Sequence, residues 1–336
     1  MNPNERVQRV LHGQQPDRPP VGFWHHFPPD QVSGPAAVAA HLAHLEAFDL
    51  DFLKIMNDNG YPHAAPLTDV HELAALPLLH GDEAEFGRQL DLIADLRRAL
   101  RGRVLMTTTV FNAWATLRGL LRPPTAHRPP VLHVADPLSN RILEYFAQDP
   151  HAVRSALHTI GSGLARFAAR CLQAGADGVF VSVRDDWLQR PGDASNLYDD
   201  LVRPSDRQIL DAASTGTFNV LHVCGQAVDF RAFAAYPVHV INWADRAAGP
   251  PIAAVRDWLR PAICAGVDNL TTLPTGTPAD CAHEVADALR QAGARPMLIA
   301  PGCTYDPDRV PRANLEAVCQ AARQTALQPQ QTGPSV

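Results

Sequence analysis

Leu172-Gln-Ala-Gly-Ala-Asp-Gly-Val-Phe-Val-Ser-Val183 carries one complete helix-to-strand transition. The segment Pro150–Ala174 has apolar residues at three- and four-residue spacing, and Gly175 follows where a helix C-terminus favours positive φ. Gly178–Val183 then runs almost without polar interruption, as expected of a parallel strand buried on both faces. Working outward, the unit recurs. Apolar runs at Pro20–Trp24, Phe52–Met56, Val104–Val110, Asn219–Cys224, Val238–Trp243, Ala262–Val267 and Met297–Ala300 bring the expected strands to eight. Helical patterns lie between them at Pro35–Phe48, Asp82–Leu100, Pro204–Ala213, Val228–Ala235, Pro251–Leu259, Pro278–Gln291 and Pro311–Ala326. Several open with proline, which costs nothing in a first helical turn, and Gly293 sits at another helix end. The alternation predicts an α/β chain, a single (β/α)8 TIM-type barrel over residues 1–327, with its active site at the C-terminal rim of the strands. An open doubly wound sheet alternates in the same way, but no Gly-x-Gly-x-x-Gly follows the first strand.

Composition narrows the function. The 336 residues are 46% hydrophobic and 19% charged, with a formal net charge of −6. No Lys/Arg run suggests nucleic acid. Lys54 is the single lysine, and the richness in Arg, Ala and Pro reads as genome composition. No stretch approaches the ~20 apolar residues that a membrane-spanning helix needs. Met1-Asn-Pro-Asn-Glu-Arg lacks the basic-then-apolar order of a secretory signal, so a cytoplasmic location is expected. Six scattered cysteines then read as free, buried or metal-binding. Leu121–Val134, rich in Pro and His, is expected to be a long loop shaping substrate access, and residues 328–336 a frayed polar tail.

The sharpest local signal is Asn219-Val-Leu-His-Val-Cys-Gly225. His222 and Cys224 lie two apart on a strand and so project to one face. Leu298-Ile-Ala-Pro-Gly-Cys303 likewise ends a strand in a small-residue turn and a cysteine. One imidazole and two thiolates suit zinc, at about 2.0–2.1 Å for nitrogen and about 2.3 Å for sulfur, with a fourth position left for water or substrate. A thiol bound there would ionise, and thiol alkylation is the chemistry such a site favours. A packed histidine beside inert buried thiols explains the same residues. Cys171, Cys281 and Cys319 fall in helical segments, and Cys264 lies inside a strand, where packing explains them.

At this point the chain resembles the uroporphyrinogen decarboxylase superfamily over nearly its whole length. The likeness is carried by Asn4-Glu-Arg-Val, Pro16-Asp-Arg-Pro-Pro-Val21, Ala174-Gly-Ala-Asp-Gly178, Leu221-His-Val-Cys-Gly225 and Pro301-Gly-Cys303 followed by Asn314-Leu315. The resemblance implies a (β/α)8 barrel and one of two activities: cofactor-free porphyrinogen decarboxylation, or zinc-dependent methyl transfer from corrinoids to thiols such as coenzyme M. The decarboxylases carry an early Arg-Gln-Ala-Gly-Arg segment for substrate carboxylates and a late Gly-His-Gly. Here Gly22-Phe-Trp-His-His-Phe27 and Pro301-Gly-Cys303 stand instead. A substrate with many carboxylates needs cationic clamps, which are missing at the matching place.

The methyltransferase branch binds zinc through His-x-Cys and a distant Cys, a pattern that His222, Cys224 and Cys303 match. The resemblance therefore implies Zn2+ as cofactor, a small-molecule thiol as substrate, and a corrinoid only as substrate or on a partner protein. It also allows a homodimer. Asp185, at the end of the fourth strand, is placed to be a fourth, displaceable ligand, and Asp186 beside it is placed for substrate; a loop pair or helix cap explains both equally well. His25, His26, Asn57 and Asp245 follow strands and are further candidates for substrate contact, although turn formation alone accounts for Asn and Asp there. A porphyrinogen decarboxylase and a non-catalytic ligand-binding barrel stay open as alternatives.

Overall fold

The structure is a computed structural model that describes residues 1–122, 137–184, 194–225 and 230–325. Its strands are β1 (Phe52–Ile55), β2 (Leu105–Phe111), β3 (Gly178–Arg184), β4 (Val220–Cys224), β5 (Val240–Trp243), β6 (Ala262–Val267) and β7 (Met297–Pro301). They pair in parallel with their neighbours in chain order, and helices connect them. The result is an α/β fold of seven strands curled into a TIM-like arc.

Alternation along each strand explains the curl. Phe52, Leu105, Phe180, Val220, Val240, Ala262, Cys264 and Leu298 form one buried cluster, the lining of the lumen. Leu53, Ile55, Met106, Val179, Val181, Leu221, Ile241 and Ile263 point the other way and pack under the helices in a second, larger cluster. Side chains of period two thus bury both faces of every strand.

The first of the eight expected strands does not form as one. Pro20–Trp24 is reduced to a single parallel bridge between Val21 and Ile299 of β7. Gly22 N–H donates to Ile299 (3.1 Å), and Ile299 N–H donates to Pro20 (2.9 Å). Towards β1 it makes one backbone–backbone bond, from Asp51 N–H to the Val21 carbonyl at 2.9 Å. The cause is local. Pro19 and Pro20 have no N–H to donate, and the Val21 N–H goes to the Asp51 carboxylate (2.8 Å), which also takes Arg18 and Arg6. The two ends of the arc are therefore linked by a short, proline-bounded segment.

Helix positions follow their caps. Asp149 accepts from His151 and Ala152 N–H at the start of Pro150–Gln173, and Thr277 with Asp280 forms a capping box on Pro278–Ala292. Gly175 and Gly293 take positive φ just past helix ends, as their spacing predicts. The helices Ala113–Leu120 and Pro137–Gln148 flank the expected Leu121–Val134 loop, most of which lies outside the described residues. The expected tail 328–336 also lies outside them. Among the described residues no helix is long and apolar enough to cross a membrane.

Candidate metal centre

β4 presents His222 and the strand's last residue, Cys224, on the lumen side, following Val220 of the lumen cluster by steps of two. Cys303 arrives two residues beyond β7. Its approach depends on Gly302, where an added Cβ would lie 2.4 Å from the Ala244 Cα, so only a glycine lets this turn close against the end of β5. The turn is tied by Gly302 N–H to the Val267 carbonyl (3.1 Å). The ligand atoms of His222, Cys224 and Cys303 all lie within 4.8 Å of one another, and all three residues are buried.

The next layer orients the imidazole. His222 pairs in register with Asn242 of β5. Asn242, fully buried, donates its amide N–H groups to the carbonyls of Cys264 (2.8 Å) and Pro301 (3.1 Å). Its Oδ1 is thereby left facing His222 Nδ1 at 2.6 Å. An amide oxygen can only accept, so Nδ1 carries the proton and Nε2 keeps its lone pair for a metal.

Electrostatics separates Cys303 from the other thiols. A hydrogen bond with Cys224 holds the Cys303 thiol well below the usual thiol range, against its burial, and His222 and the Lys54 ammonium add to the effect. Burial alone pushes Cys171 and Cys264 up. Burial chiefly pushes Cys281 and Cys319 up to about 12. Three donors at this separation, one with a fixed lone pair and one a readily ionised thiol, fit a divalent ion of zinc's preferences.

Phe180 stacks on His222 (ring centroids 5.5 Å apart) and meets Trp24 edge-on (5.3 Å), and from Trp24 a cluster of rings extends along the chain. The Tyr305 N–H donates to the Trp24 carbonyl (3.3 Å), which places His25 beside Tyr305 with ring centroids 5.2 Å apart. His25 also meets His44 (4.9 Å) and Phe27 (4.5 Å), and Phe27 meets His41 (4.3 Å). Burial pushes the imidazoles of His41 and His44 down to about 4 and that of His25 down as well, so His41 and His44 are neutral near pH 7.

The other expected residues divide. His26 pairs through Nδ1 with Asp58 at 2.5 Å. Asn57 uses its amide to bond the Thr109 carbonyl (3.3 Å), tying the ends of β1 and β2. Asp245 accepts from Gly266 N–H (2.9 Å) and lies 3.3 Å from Arg246 Nε, whose guanidinium reaches Asp287 on the outer helix Pro278–Ala292. Asp185 and Asp186 lie outside the described residues. Asn242 is not among the candidates that the sequence offers, and Lys54 stands out there only as the single lysine. Each is a lone polar residue in an otherwise apolar strand, Val240-Ile-Asn-Trp243 and Phe52-Leu-Lys-Ile55, and that was the available signal.

The family described as uroporphyrinogen decarboxylase (URO-D) matches residues 22–325. No curated protein matches the chain. Among solved structures, a methyltransferase from Methanosarcina mazei has a TM-score of 0.69 at 15% sequence identity, covering 97% of this chain and 99% of its own. At that identity the likeness is one of fold. Looser likenesses include a B12-independent methionine synthase from Shewanella sp. W3-18-1 (TM-score 0.46, 12% identity, 71% of this chain and 67% of that one). A homocysteine methyltransferase from Escherichia coli has a TM-score of 0.39 at 14% identity, covering 85% of each chain.

Proposed function

The chain belongs to the uroporphyrinogen decarboxylase family, and on that premise we propose that it is a zinc-dependent methyltransferase acting on a thiol. The observation that carries this reading is the buried His222, Cys224 and Cys303 cluster, with Asn242 presenting the His222 lone pair. One nitrogen and two sulfurs suit zinc, and three protein donors leave a place for a substrate sulfur. The fold likeness to a methyltransferase supports the same direction.

Zinc bound there would act as a Lewis acid favouring the ionised form of a substrate thiol. The chain's own residues do the rest. Asn242 keeps the imidazole in one tautomer, and the Gly302 turn places Cys303 opposite β4. Phe180, stacked on His222 and met edge-on by Trp24, puts apolar rings beside the imidazole, which would limit water there. The methyl donor is a methylated corrinoid, free or carried on a partner protein. Thiolate sulfur attacks the methyl carbon, the carbon–cobalt bond breaks, and its electron pair stays on cobalt. The products are a thioether and the reduced corrinoid.

The test is transfer from methylcobalamin to 2-mercaptoethanesulfonate, with bound metal measured on the same sample. Cys224→Ala should lose both metal and transfer. Undiminished transfer by the metal-free variant would refute the reading.

Family membership by itself favours a second reading, decarboxylation of a porphyrinogen. It predicts CO2 release from uroporphyrinogen with no metal requirement. The sequence Gly22-Phe-Trp-His-His-Phe27, without an arginine pair, argues against it, because a substrate of many carboxylates calls for cationic clamps.

A further inference from the structure

We propose that a substrate thiol reaches the metal centre along the open side of β3, where the Ser182 hydroxyl hydrogen-bonds its sulfur. This rests on the zinc–thiol reading above and adds to it a substrate-binding residue outside the three donors.

Burial along the strands marks where the lumen can be entered. Phe52, Leu105, Phe180, Val220, Val240, Ala262 and Leu298 fix the lumen face of each strand, and residues at steps of two from them share it. On that face every described strand residue is buried except Phe111, at the end of β2, and Ser182 and Arg184, on β3. The exceptions are neighbours. Phe111 pairs in register with Ser182, Ser182 with His222, and Arg184 with Cys224. The open stretch of the lumen wall therefore adjoins both metal donors of β4. The opposite face of β3 is sealed, with Val179, Val181 and Val183 fully buried, so Ser182 owes its exposure to the lumen.

The chemistry of that stretch suits a thiol. The backbone of Ser182 is held by Asn112, whose N–H donates to the Ser182 carbonyl at 3.1 Å. Among the described residues the Ser182 hydroxyl has no hydrogen-bond partner, so its one O–H serves whatever occupies the lumen. A thiolate sulfur placed beside the sulfurs of Cys224 and Cys303 gathers negative charge in a lumen that Phe52, Phe180 and Trp24 make apolar. Such a group is costly there without a donor. A hydrogen bond to an ionised acceptor is stronger than one between neutral groups, and it favours the ionised form. On the far side of Ser182 from His222, Phe111 offers an apolar surface to the carbon chain of the thiol. The binding step is simple. The thiol loses its proton to solvent as its sulfur engages the ion, and that sulfur accepts the Ser182 O–H with no change of oxidation state.

The experiment uses the full chain loaded with Co2+ and titrated with 2-mercaptoethanol at one fixed pH. The thiol-induced sulfur-to-cobalt charge-transfer band is read as a difference spectrum in wild type, Ser182→Ala and Ser182→Thr. Ser182→Ala should bind cobalt as wild type does, because Ser182 is not a metal donor. It should bind the thiol about tenfold more weakly, as loss of a hydrogen bond to a charged group does. Its difference band should move to lower energy, because a sulfur relieved of a hydrogen bond gives up an electron more easily. Ser182→Thr keeps the O–H and should restore both the affinity and the band. Unchanged thiol affinity and band in Ser182→Ala, an equal loss in Ser182→Thr, or weakened cobalt binding in both variants overturns the inference and leaves the thiol reading intact. No thiol-induced band in cobalt-loaded wild type overturns the thiol reading, and this inference with it.

Discussion

The Nδ1 of His222 lies 2.6 Å from Oδ1 of Asn242, and that amide cannot turn over without losing its bonds to the carbonyls of Cys264 and Pro301. Asn242 thus orients the imidazole without being one of the three donors. Asn242→Ala should weaken zinc binding by about 10–100-fold, as loss of a ligand's orienting partner does elsewhere. Competition with a chromophoric chelator would measure it; an unchanged affinity would mean that β4 alone fixes the ring. This residue also marks where sequence reading stopped. His222, Cys224 and Cys303 were legible because their side chains are chemically distinctive and end strands. Asn242 was not, because its role comes from register with His222 across two strands, and register is a tertiary fact.

At the scale of elements, the turn after β7 and the helices under β2–β5 behave differently. Gly302 has no room for a Cβ against the Ala244 backbone, so Gly302→Ala must displace the turn that carries Cys303. We expect a folded protein with unchanged far-ultraviolet circular dichroism and zinc affinity down by about tenfold or more, because ligand geometry tolerates only about half an ångström of error. Equal affinity in the variant would show that the turn has slack. Elsewhere, Asp206 of the helix Arg203–Ala212 is buried among Tyr198, Tyr236 and Asn112, which donate to it at 2.9, 2.7 and 2.9 Å. Burial raises its carboxyl to about 6, even though those donors pull the other way. The folded state therefore holds this proton more tightly than the unfolded chain, whose Asp titrates near 3.8. The associated stability is fully present below that value and is lost as pH rises through about 6, a change on the order of 3 kcal/mol. Urea unfolding of wild type and Asp206→Asn should differ in slope between pH 4 and 6 and run parallel above 7. Parallel curves throughout would remove Asp206 as the source. None of this network could be read from the sequence, where Tyr198, Asp206 and Tyr236 stand on separate helical and loop segments with no common pattern.

For the molecule as a whole, seven of the eight expected strands form, and the eighth shrinks to one bridge. The hydrophobic pattern of Pro20–Trp24 predicts a strand; Val21, Phe23 and Trp24 are all buried, yet no strand forms there. What the pattern could not carry was hydrogen bonding. Two prolines and the capture of the Val21 N–H by Asp51 leave the segment too few donors for a ladder. Architecture was thus legible from periodicity, while closure depended on which backbone groups were free to pair. The same arc brings β4 and β7 together so that residues far apart in sequence meet at one end of the lumen. That meeting is the central claim, and zinc content tests it most directly. Wild-type protein, purified reduced and without chelator or metal-binding tag, should hold about one zinc per chain by elemental analysis, and Cys303→Ala should lose it. Folded wild type with no zinc, or Cys303→Ala with full zinc, would contradict a metal centre at His222, Cys224 and Cys303.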